Sequence, residues 1–197
     1  IVIKQGLIDT LDTVIQENKT YSKIFIITQQ SIIDNTQCQI LSKYPTIIVG
    51  EKELSKSVST AESVVNQLID RGCNRDSLLI GLGGGTVTDL TGFVASIFMR
   101  GIPFIAIPTT LIGQVDAITA GKTCLNTING KNILGTFYYP LEVYNNISIL
   151  KTNQPYYSRQ GFSEIFKYGL LASKELLETY DKYNNNKSEK VLIKIIE

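Results

Sequence analysis

The sequence predicts an α/β protein in which a Rossmann-like parallel sheet is followed by a purely helical segment. Up to about residue 150, short apolar runs alternate with amphipathic stretches of helical spacing, and after about residue 153 no strand pattern returns. Such alternation is typical of a parallel sheet with helices on its faces. We therefore expect an α/β domain over residues 1–152 and the beginning of an all-helical, truncated second domain over residues 153–197.

Each element of this prediction follows from a local pattern. The apolar residues of 58–71 recur at helical spacing, and Gly72 supplies the residue with which helices often end. A second helix is expected after Asp89. Buried strands are predicted at 24–27, 46–49, 78–80 and 104–107, and later helices at 158–171, 175–183 and 188–197, with 184–186 as a loop.

The composition excludes several classes of function. The chain has 197 residues, 43% of them hydrophobic, and a net charge of +1, so bulk charge indicates neither a nucleic-acid nor a membrane partner. Its three cysteines are widely spaced, which favours reduced thiols in a cytoplasmic protein. The chain has no histidine. The first residue is Ile1 and the last lies inside an amphipathic pattern, so we expect both ends to continue.

A glycine-rich turn carries the strongest local signal. The strand at 78–80 leads into Gly83, Gly84 and Gly85, and a helix follows. Consecutive glycines let backbone N–H groups approach a phosphate, and a helix N-terminus adds a favourable dipole. Thr86 stands where the dinucleotide fingerprint GxGxxG would have its last glycine. The pattern favours phosphate or dinucleotide binding, and the alternative is a tight turn that requires positive φ.

Polar side chains are dense between residues 108 and 132. Lysines neutralise phosphate or carboxylate, while Asp and Asn bind hydroxyls, so the stretch suits a polyhydroxylated anionic substrate. The alternative is an ordinary polar surface loop. The tripeptide Gly121-Lys122-Thr123 resembles the end of a P-loop, but Asp116 occupies the position of the required glycine. The residues concerned are Thr109, Thr110, Asp116, Lys122, Asn126, Lys131 and Asn132.

A third group of polar residues lies in the predicted helical segment. Glu164, Lys167 and Tyr168 stand at positions i, i+3 and i+4 and therefore share one helix face. They are either part of a site or a surface ion pair with a neighbouring tyrosine.

Taken together, these segments resemble the 3-dehydroquinate synthases, a family of sugar-phosphate cyclases, from about residue 50 to residue 171. The stretches that carry the resemblance are GLGGGTVTDLTGF, RGIPFIAIPTTLIGQVDA, AGKTCLN, GKNILGTFYYP and SEIFKYGLL. Some positions depart from the family pattern: Thr88 replaces a glycine, Thr119 and Ala120 alter a glycine-rich loop, and Asn145 and Asn146 replace Asp-Thr.

The resemblance implies a set of site residues and partners. Arg100 is implied to reach the substrate phosphate of a neighbouring subunit, which means a homodimer. Glu164 is implied as one of three ligands of a catalytic zinc or cobalt ion, the other two being histidines that this chain lacks. The substrate site is implied to include Asp116, Lys122, Lys131, Asn132 and Lys167. The implied NAD contacts are Glu51, Lys56, Gly84, Gly85, Thr86, Val87, Thr88, Asp89, Thr109, Thr110, Lys122, Lys131 and Thr152.

The family reaction converts 3-deoxy-D-arabino-heptulosonate 7-phosphate to 3-dehydroquinate and phosphate, a step of the shikimate pathway to aromatic amino acids. Two alternatives remain open: another sugar-phosphate cyclase or polyol dehydrogenase of the same fold, and a non-catalytic nucleotide-binding remnant. We expect the 197 residues alone to be aggregation-prone and without synthase activity, because Glu164 cannot hold a catalytic metal by itself.

Overall fold

The computed structural model describes residues 2–4, 15, 20–35, 40–118, 120–152, 155–186 and 188–196. Eight strands lie within these ranges: β1 (Val2–Lys4), β2 (Ile24–Gln29), β3 (Thr46–Val49), β4 (Leu78–Gly83), β5 (Phe104–Pro108), β6 (Lys122–Thr127), β7 (Gly130–Phe137) and β8 (Glu142–Asn146). The α-helices in the same ranges are α1 (Gln30–Asn35), α2 (Ile40–Lys43), α3 (Val58–Asp70), α4 (Gly85–Ile97), α5 (Pro155–Ala172), α6 (Lys174–Asn186) and α7 (Glu189–Ile196).

Six strands form one parallel sheet in the order β1-β8-β5-β4-β2-β3. This order confirms the predicted α/β fold class, and all four strands predicted from apolar runs are present. Every residue of β4 is buried, as expected for a central strand covered on both faces. The chain passes from β2 to β3 on one side and then to β4 on the other. In such sheets, ligands bind outside the carboxyl ends of the strands at this change of direction.

The core has one layer on each face of the sheet. Phe25 and Ile27 pack with Leu79 beneath α3 and α4, whereas Ile26 and Ile80 face the opposite side. This alternation follows from the two-residue period of a strand, which sends successive side chains to opposite faces.

Helix α3 begins and ends at the residues that the sequence indicates. The Ser57 side chain accepts a hydrogen bond from the Thr60 N–H at 3.2 Å, which caps the first turn. At the other end Gly72 has φ +72°, and its N–H donates to the Ile69 carbonyl at 2.8 Å. The prediction that Gly72 ends this helix is therefore confirmed.

Several parts of the fold differ from the prediction. Part of the polar stretch, for which a surface loop was the alternative interpretation, forms the antiparallel hairpin β6–β7, because Thr123 and Leu125 bury one face of β6 against α4 while β7 stays largely exposed. Strands β1 and β8 were not predicted. The segment 184–186 continues helix α6 instead of forming a loop, so the low helix propensity of asparagine, which is a weak effect per residue, does not end the helix there.

Helices α5, α6 and α7 surround a third core. Ile165 packs with Leu192 and Ile195, and this core extends to Leu111 after β5. The outer side of α5 leaves large apolar side chains exposed: Phe166, Leu170 and Leu171. None of the helices in the described parts of the chain combines the length and hydropathy needed to cross a bilayer.

Candidate cofactor and substrate site

The glycine turn between β4 and α4 is required by space and not by backbone strain. None of its glycines has positive φ, so the interpretation as a turn that needs positive φ is wrong. A Cβ atom on Gly83 would lie 2.5 Å from Val87 Cγ2, and one on Gly84 would lie 3.1 Å from Thr110 Cγ2. A Cβ on Gly85 would meet nothing within 4 Å. Gly83 thus lets the helix approach the strand, whereas Gly85 borders open space.

The first turn of α4 faces this open space with main-chain donors. The helix begins at Gly85 after Gly84, which provides no side-chain cap. The first N–H groups of a helix lack intrahelical acceptors and carry a partial positive charge, so they suit an anionic group. The Thr109 N–H donates to the Gly83 carbonyl at 2.9 Å, which fixes the end of β5 beside the turn.

A polar cluster forms next to this turn, and we name it the Lys56 cluster. Its centre is the buried Lys56 ammonium, which pairs with the Asp89 carboxylate and donates to Asn132 Oδ1 at 2.6 Å. Cys124 Sγ lies 3.4 Å from Asp89 Oδ2 and 3.3 Å from Asn132 Oδ1. The cluster comprises Glu53, Lys56, Thr86, Asp89, Cys124, Asn126 and Asn132.

The rim of the cluster joins the segment before α3 to the hairpin. Glu53 accepts hydrogen bonds from Asn126 Nδ2 at 2.8 Å and from Thr86 Oγ1 at 3.2 Å. Asn126 Oδ1 in turn accepts from the Asn132 N–H at 2.9 Å, and the Asn126 N–H donates to the Lys56 carbonyl at 2.8 Å. Asn132 has φ +58°, a left-handed conformation that asparagine tolerates better than most residues. These bonds hold the hairpin against α4.

Burial and neighbouring charges set the ionisation of the cluster. Burial alone would lower the pKa of Lys56, but the Asp89 carboxylate raises it above its ordinary 10.5, so the ammonium stays charged. Burial raises the pKa of Asp89, and the Lys56 charge offsets part of that rise. Burial and the Asp89 charge raise the pKa of Cys124, which is therefore a thiol near neutral pH.

Glu53 shows the opposite balance. Burial would raise its pKa, but the Asn126 hydrogen bond, the Lys56 charge and the Thr86 hydrogen bond lower it below the ordinary 4.5. The charge of Lys131 acts in the same direction, so this exposed lysine lies within electrostatic reach of the cluster.

A second group, the Tyr168 cluster, lies where α5 meets the π-helical turn Gly113–Ala117, and it consists of Asp116, Glu164, Lys167 and Tyr168. The Tyr168 hydroxyl donates to Asp116 Oδ1 at 2.7 Å, and Glu164 forms an ion pair with Lys167. The ion-pair interpretation of Glu164 and Lys167 therefore describes their contact. The Asp116 bond shows that their helix face also reaches the segment after β5.

Other predicted site residues lie outside both clusters. Glu51 accepts hydrogen bonds from the N–H and the hydroxyl of Ser31 at the start of α1, so Glu53 takes its place beside Lys56. Val87 and Thr88 are buried, and their N–H groups donate to the Gly84 carbonyl. Neither therefore offers a group to the open side of the turn. The family resemblance treats residues 84–89 as one block, whereas a helix points each successive residue in a different direction.

Three further residues complete the comparison with the predicted site. Thr110 lies against the turn through Gly84 and accepts from the Gly113 N–H at 3.3 Å. Lys122 is exposed at the start of β6, and because a strand follows it instead of a helix, the P-loop interpretation is excluded. Thr152 ends the 3-10 turn Ile147–Thr152, and its side chain lies outside the described part of the structure.

Arg100 lies at the end of α4 opposite to the glycine turn. The helix has 13 residues and is therefore about 20 Å long, and Arg100 follows its C-terminus. Met99, Arg100 and Gly101 have φ of +48°, +72° and +120°. Positive φ at two non-glycine residues in succession is strained and is often found at functional positions.

The described residues do not form a complete metal site. No three His, Cys, Asp or Glu side chains among them lie close enough together to hold a metal ion. Glu164 can supply one oxygen ligand, and a catalytic zinc normally has three protein ligands. The donors present in this part of the chain therefore do not suffice for the metal that the family pattern implies.

The fold and the glycine turn define a Rossmann-like parallel α/β protein, and the comparisons with known proteins specify it further. The family model described as 3-dehydroquinate synthase N-terminal matches residues 46–160. The chain belongs to the 3-dehydroquinate synthase family.

Among its relatives, the 3-dehydroquinate synthase of Sulfurisphaera tokodaii is 40% identical over 194 residues, covering 98% of this chain and 53% of the relative. The chain spans about half the length of the curated relatives it matches. Among solved structures, 2-epi-5-epi-valiolone synthase from Streptomyces hygroscopicus subsp. jinggangensis 5008, with NAD+ and Zn2+ bound, superposes with a TM-score of 0.86 at 24% identity over 99% of this chain and 57% of that protein. A 2-deoxy-scyllo-inosose synthase complexed with carbaglucose-6-phosphate, NAD+ and Co2+ gives a TM-score of 0.75 at 24% identity over 84% and 47%.

Proposed function

We propose that this chain is the NAD-binding part, and the beginning of the metal-binding part, of a cytoplasmic 3-dehydroquinate synthase. The reaction is the conversion of 3-deoxy-D-arabino-heptulosonate 7-phosphate to 3-dehydroquinate and inorganic phosphate, with NAD and a divalent metal. One observation carries the proposal. The fold joins residues from three distant segments of the sequence into a single cluster beside the glycine turn: Lys56, the pair Thr86 and Asp89 on α4, and Asn132.

The residues at this turn fit a dinucleotide. Gly85 borders space that a side chain would fill, the first turn of α4 presents main-chain N–H groups, and Thr86 and Asp89 lie on the same side. We propose that the pyrophosphate binds at this helix N-terminus and that Asp89 accepts from a ribose hydroxyl. NAD, when bound, supplies reversible oxidation of a substrate hydroxyl.

The remaining residues suit a phosphorylated polyol. Lys122 and Lys131 are exposed cations that we assign to the substrate phosphate, where they stabilise the leaving group. Asp116 and Asn132 are assigned to substrate hydroxyls, and Lys167 to the substrate anion. Glu164 is assigned to the metal, with the other ligands coming from a longer chain, because the side chains in the described ranges do not complete a metal site.

The proposal is tested on the full-length protein by release of phosphate from the seven-carbon substrate in the presence of NAD and zinc. The Lys122→Ala variant should lose turnover by on the order of a hundredfold, because a leaving phosphate loses its countercharge. It should still bind NAD although the family resemblance implies a cofactor contact at Lys122, because the structure places this exposed lysine at the start of β6, outside the Lys56 cluster. Absence of phosphate release by the wild-type protein would reject the function, and normal turnover by the variant would reject the role of Lys122. NAD binding without turnover would favour the nucleotide-binding remnant.

We also propose that the protein acts as a homodimer in which Arg100 serves the site of the other subunit. The length of α4 separates Arg100 from its own glycine turn, which supports action across an interface. The hairpin strand β7 also leaves apolar side chains exposed on an edge strand, which proteins usually cover. The side chains concerned are Ile133, Leu134 and Phe137.

Mixing two inactive variants should restore activity if Arg100 acts across the dimer. A heterodimer of Arg100→Ala and Lys122→Ala has one site with both residues intact, so random reassociation should give about a quarter of wild-type phosphate release. The control is each variant reassociated with itself, which should stay inactive. Mixtures no more active than the separate variants would place Arg100 within its own subunit's site or outside the mechanism.

A further inference from the structure

A tyrosine that the proposed site does not use links the two halves of the described structure. Tyr168 lies on α5, and its hydroxyl donates to Asp116 Oδ1 at 2.7 Å. The hydrogen bond to Asp116, aided by burial, raises the pKa of Tyr168 to about 12, because a phenolate would stand beside a carboxylate. The phenol is therefore protonated at neutral pH, so Tyr168 is the donor and Asp116 the acceptor.

Neighbouring hydrogen bonds and helix packing fix the positions of both partners of this bond. Asp116 lies in the π-helical turn, which Gln114 anchors: its buried Nε2 donates to the Pro108 carbonyl at 3.1 Å and to the Asn146 carbonyl at 3.3 Å. Turns of this kind are rare and frequently found at functional sites. The bonds of Gln114 to the strand ends thus fix the backbone of the turn that carries Asp116. The carboxylate of Asp116 receives its hydrogen bond from Tyr168 on α5.

Helix α5 is fixed by two close approaches. A Cβ on Gly161 would lie 2.5 Å from Leu111 Cγ, and one on Gly169 would lie 2.4 Å from Leu177 Cδ2. Ile165 between them is buried in the third core. The glycines therefore bring α5 close to the segment after β5 and to α6, and the position of Tyr168 is set by packing.

Tyr168 also borders the residues assigned to the metal and to the substrate anion. The Lys167 ammonium lies 4.8 Å from the centre of its ring, and the Glu164 charge adds to the rise of its pKa. The phenol therefore hydrogen-bonds to Asp116 and lies beside Lys167, within electrostatic reach of Glu164.

We propose that Tyr168 is a positioning residue that holds the Asp116 carboxylate in the orientation that binds a substrate hydroxyl, next to Glu164 and Lys167. This inference rests on the proposed function and deepens it. Loss of the phenol donor removes this restraint on Asp116 Oδ1, and a hydroxyl of the substrate must then do more to orient the carboxylate during binding. The effect should therefore appear in the use of the phosphorylated substrate and not in the binding of NAD.

The test compares full-length Tyr168→Phe with a matched control, Tyr180→Phe. Tyr180 lies on α6 and packs its ring 5.6 Å from that of Phe162, so the control removes the same hydroxyl from the same helical part. Tyr168→Phe should lower kcat/KM for the seven-carbon substrate by on the order of tenfold, the effect of losing one hydrogen bond to a charged group. NAD affinity should be unchanged, and Tyr180→Phe should behave as wild type.

A double-mutant cycle shows whether Tyr168 acts through Asp116. Thermal unfolding and kcat/KM are measured for Tyr168→Phe, Asp116→Ala and the double variant. We expect Tyr168→Phe to have little further effect once Asp116 is removed, because neighbours that form one contact are non-additive. Additive losses in unfolding, loss of NAD affinity, an equal loss in the Tyr180→Phe control, or wild-type kinetics of Tyr168→Phe would each overturn the inference. A wild-type protein without phosphate release would instead reject the proposed function, and this inference with it.

Discussion

Replacing Gly85 with valine in the full-length protein should weaken NAD binding by about a hundredfold or more, since a branched side chain would occupy the approach of a bound phosphate to the helix N-terminus. The substitution should cause neither a steric clash nor backbone strain, because a Cβ at this position meets no protein atom within 4 Å and the φ of Gly85 lies outside the positive range. The folded protein should therefore accept valine. Titration calorimetry with NAD measures the effect.

A graded control separates cofactor exclusion from damage to the fold. Gly85→Ala adds one methyl group to the same open space and should weaken NAD less than Gly85→Val. Thermal unfolding without NAD should be nearly the same for both variants and wild type. By contrast, valine at Gly83 would collide with Val87 and should destabilise the protein itself. An unchanged dissociation constant in Gly85→Val would mean that the cofactor binds elsewhere.

The sheet could be predicted from sequence because its strands are buried on both faces. A central parallel strand such as β4 must be apolar throughout, so its residues stand out. The hairpin β6–β7 has no such signature. It buries only one face of one strand, and its polar residues resemble a surface loop. Strand β8 was missed for a different reason: it is buried within the main sheet but ends in the polar residues Asn145 and Asn146, so its sequence has no continuous apolar run.

The sequence analysis named individual candidate residues of the site, but it did not predict the contacts among them. Lys56 and Asp89 were assigned to the same cofactor, yet no local pattern shows that they form a buried pair. Glu53 and Cys124 were missed as site residues, whereas Asn126 was named only as part of the polar stretch and not as a partner of Glu53. Cys124 and Asn126 join the Lys56 cluster only because the hairpin folds back onto α4, about seventy residues along the chain from Lys56.

The position of Glu53 shows where resemblance alone is weakest. The family resemblance implied a cofactor contact at Glu51, two residues earlier, and did not single out Glu53. In the structure the 3-10 turn Glu53–Ser55 directs Glu53 toward Thr86 and Asn126. A shift of two residues in a tight turn changes which carboxylate faces the Lys56 cluster. The path of the backbone determines this orientation, and the sequence pattern does not show that path.

Replacing Lys56 with methionine should destabilise the full-length protein by about 3 kcal/mol, because removal of one partner leaves a buried charge without compensation. The side chain of Lys56 is 5% exposed and that of Asp89 is 11% exposed, so water cannot replace the ammonium. Asn132 Oδ1 also loses its hydrogen bond from Lys56. For a protein of this size or larger, the loss corresponds to a fall in Tm of roughly 10 °C, measured by calorimetry.

Two controls define the cause of this loss. Lys174→Met removes a cation from the exposed pair with Glu178, whose side chains are 90% and 59% exposed and 3.9 Å apart, and it should change Tm little. The double variant Lys56→Met with Asp89→Leu removes both charges and should recover much of the stability, since no buried charge is left. Equal effects of Lys56→Met and Lys174→Met would show that the Lys56 pair is not buried in the folded protein.

The contribution of the Lys56 charge to the free energy of unfolding should depend on pH in a predictable direction. The pKa of Lys56 is raised above 10.5 in the folded protein, so folding favours the protonated form. The stabilisation is therefore fully present below pH 10.5 and is lost as the pH rises through the higher folded value. The stability of the wild-type protein should fall toward that of Lys56→Met at strongly alkaline pH, while the difference stays constant from pH 7 to about pH 9. A difference that is already lost near neutral pH would mean that the Lys56 ammonium is not held by Asp89.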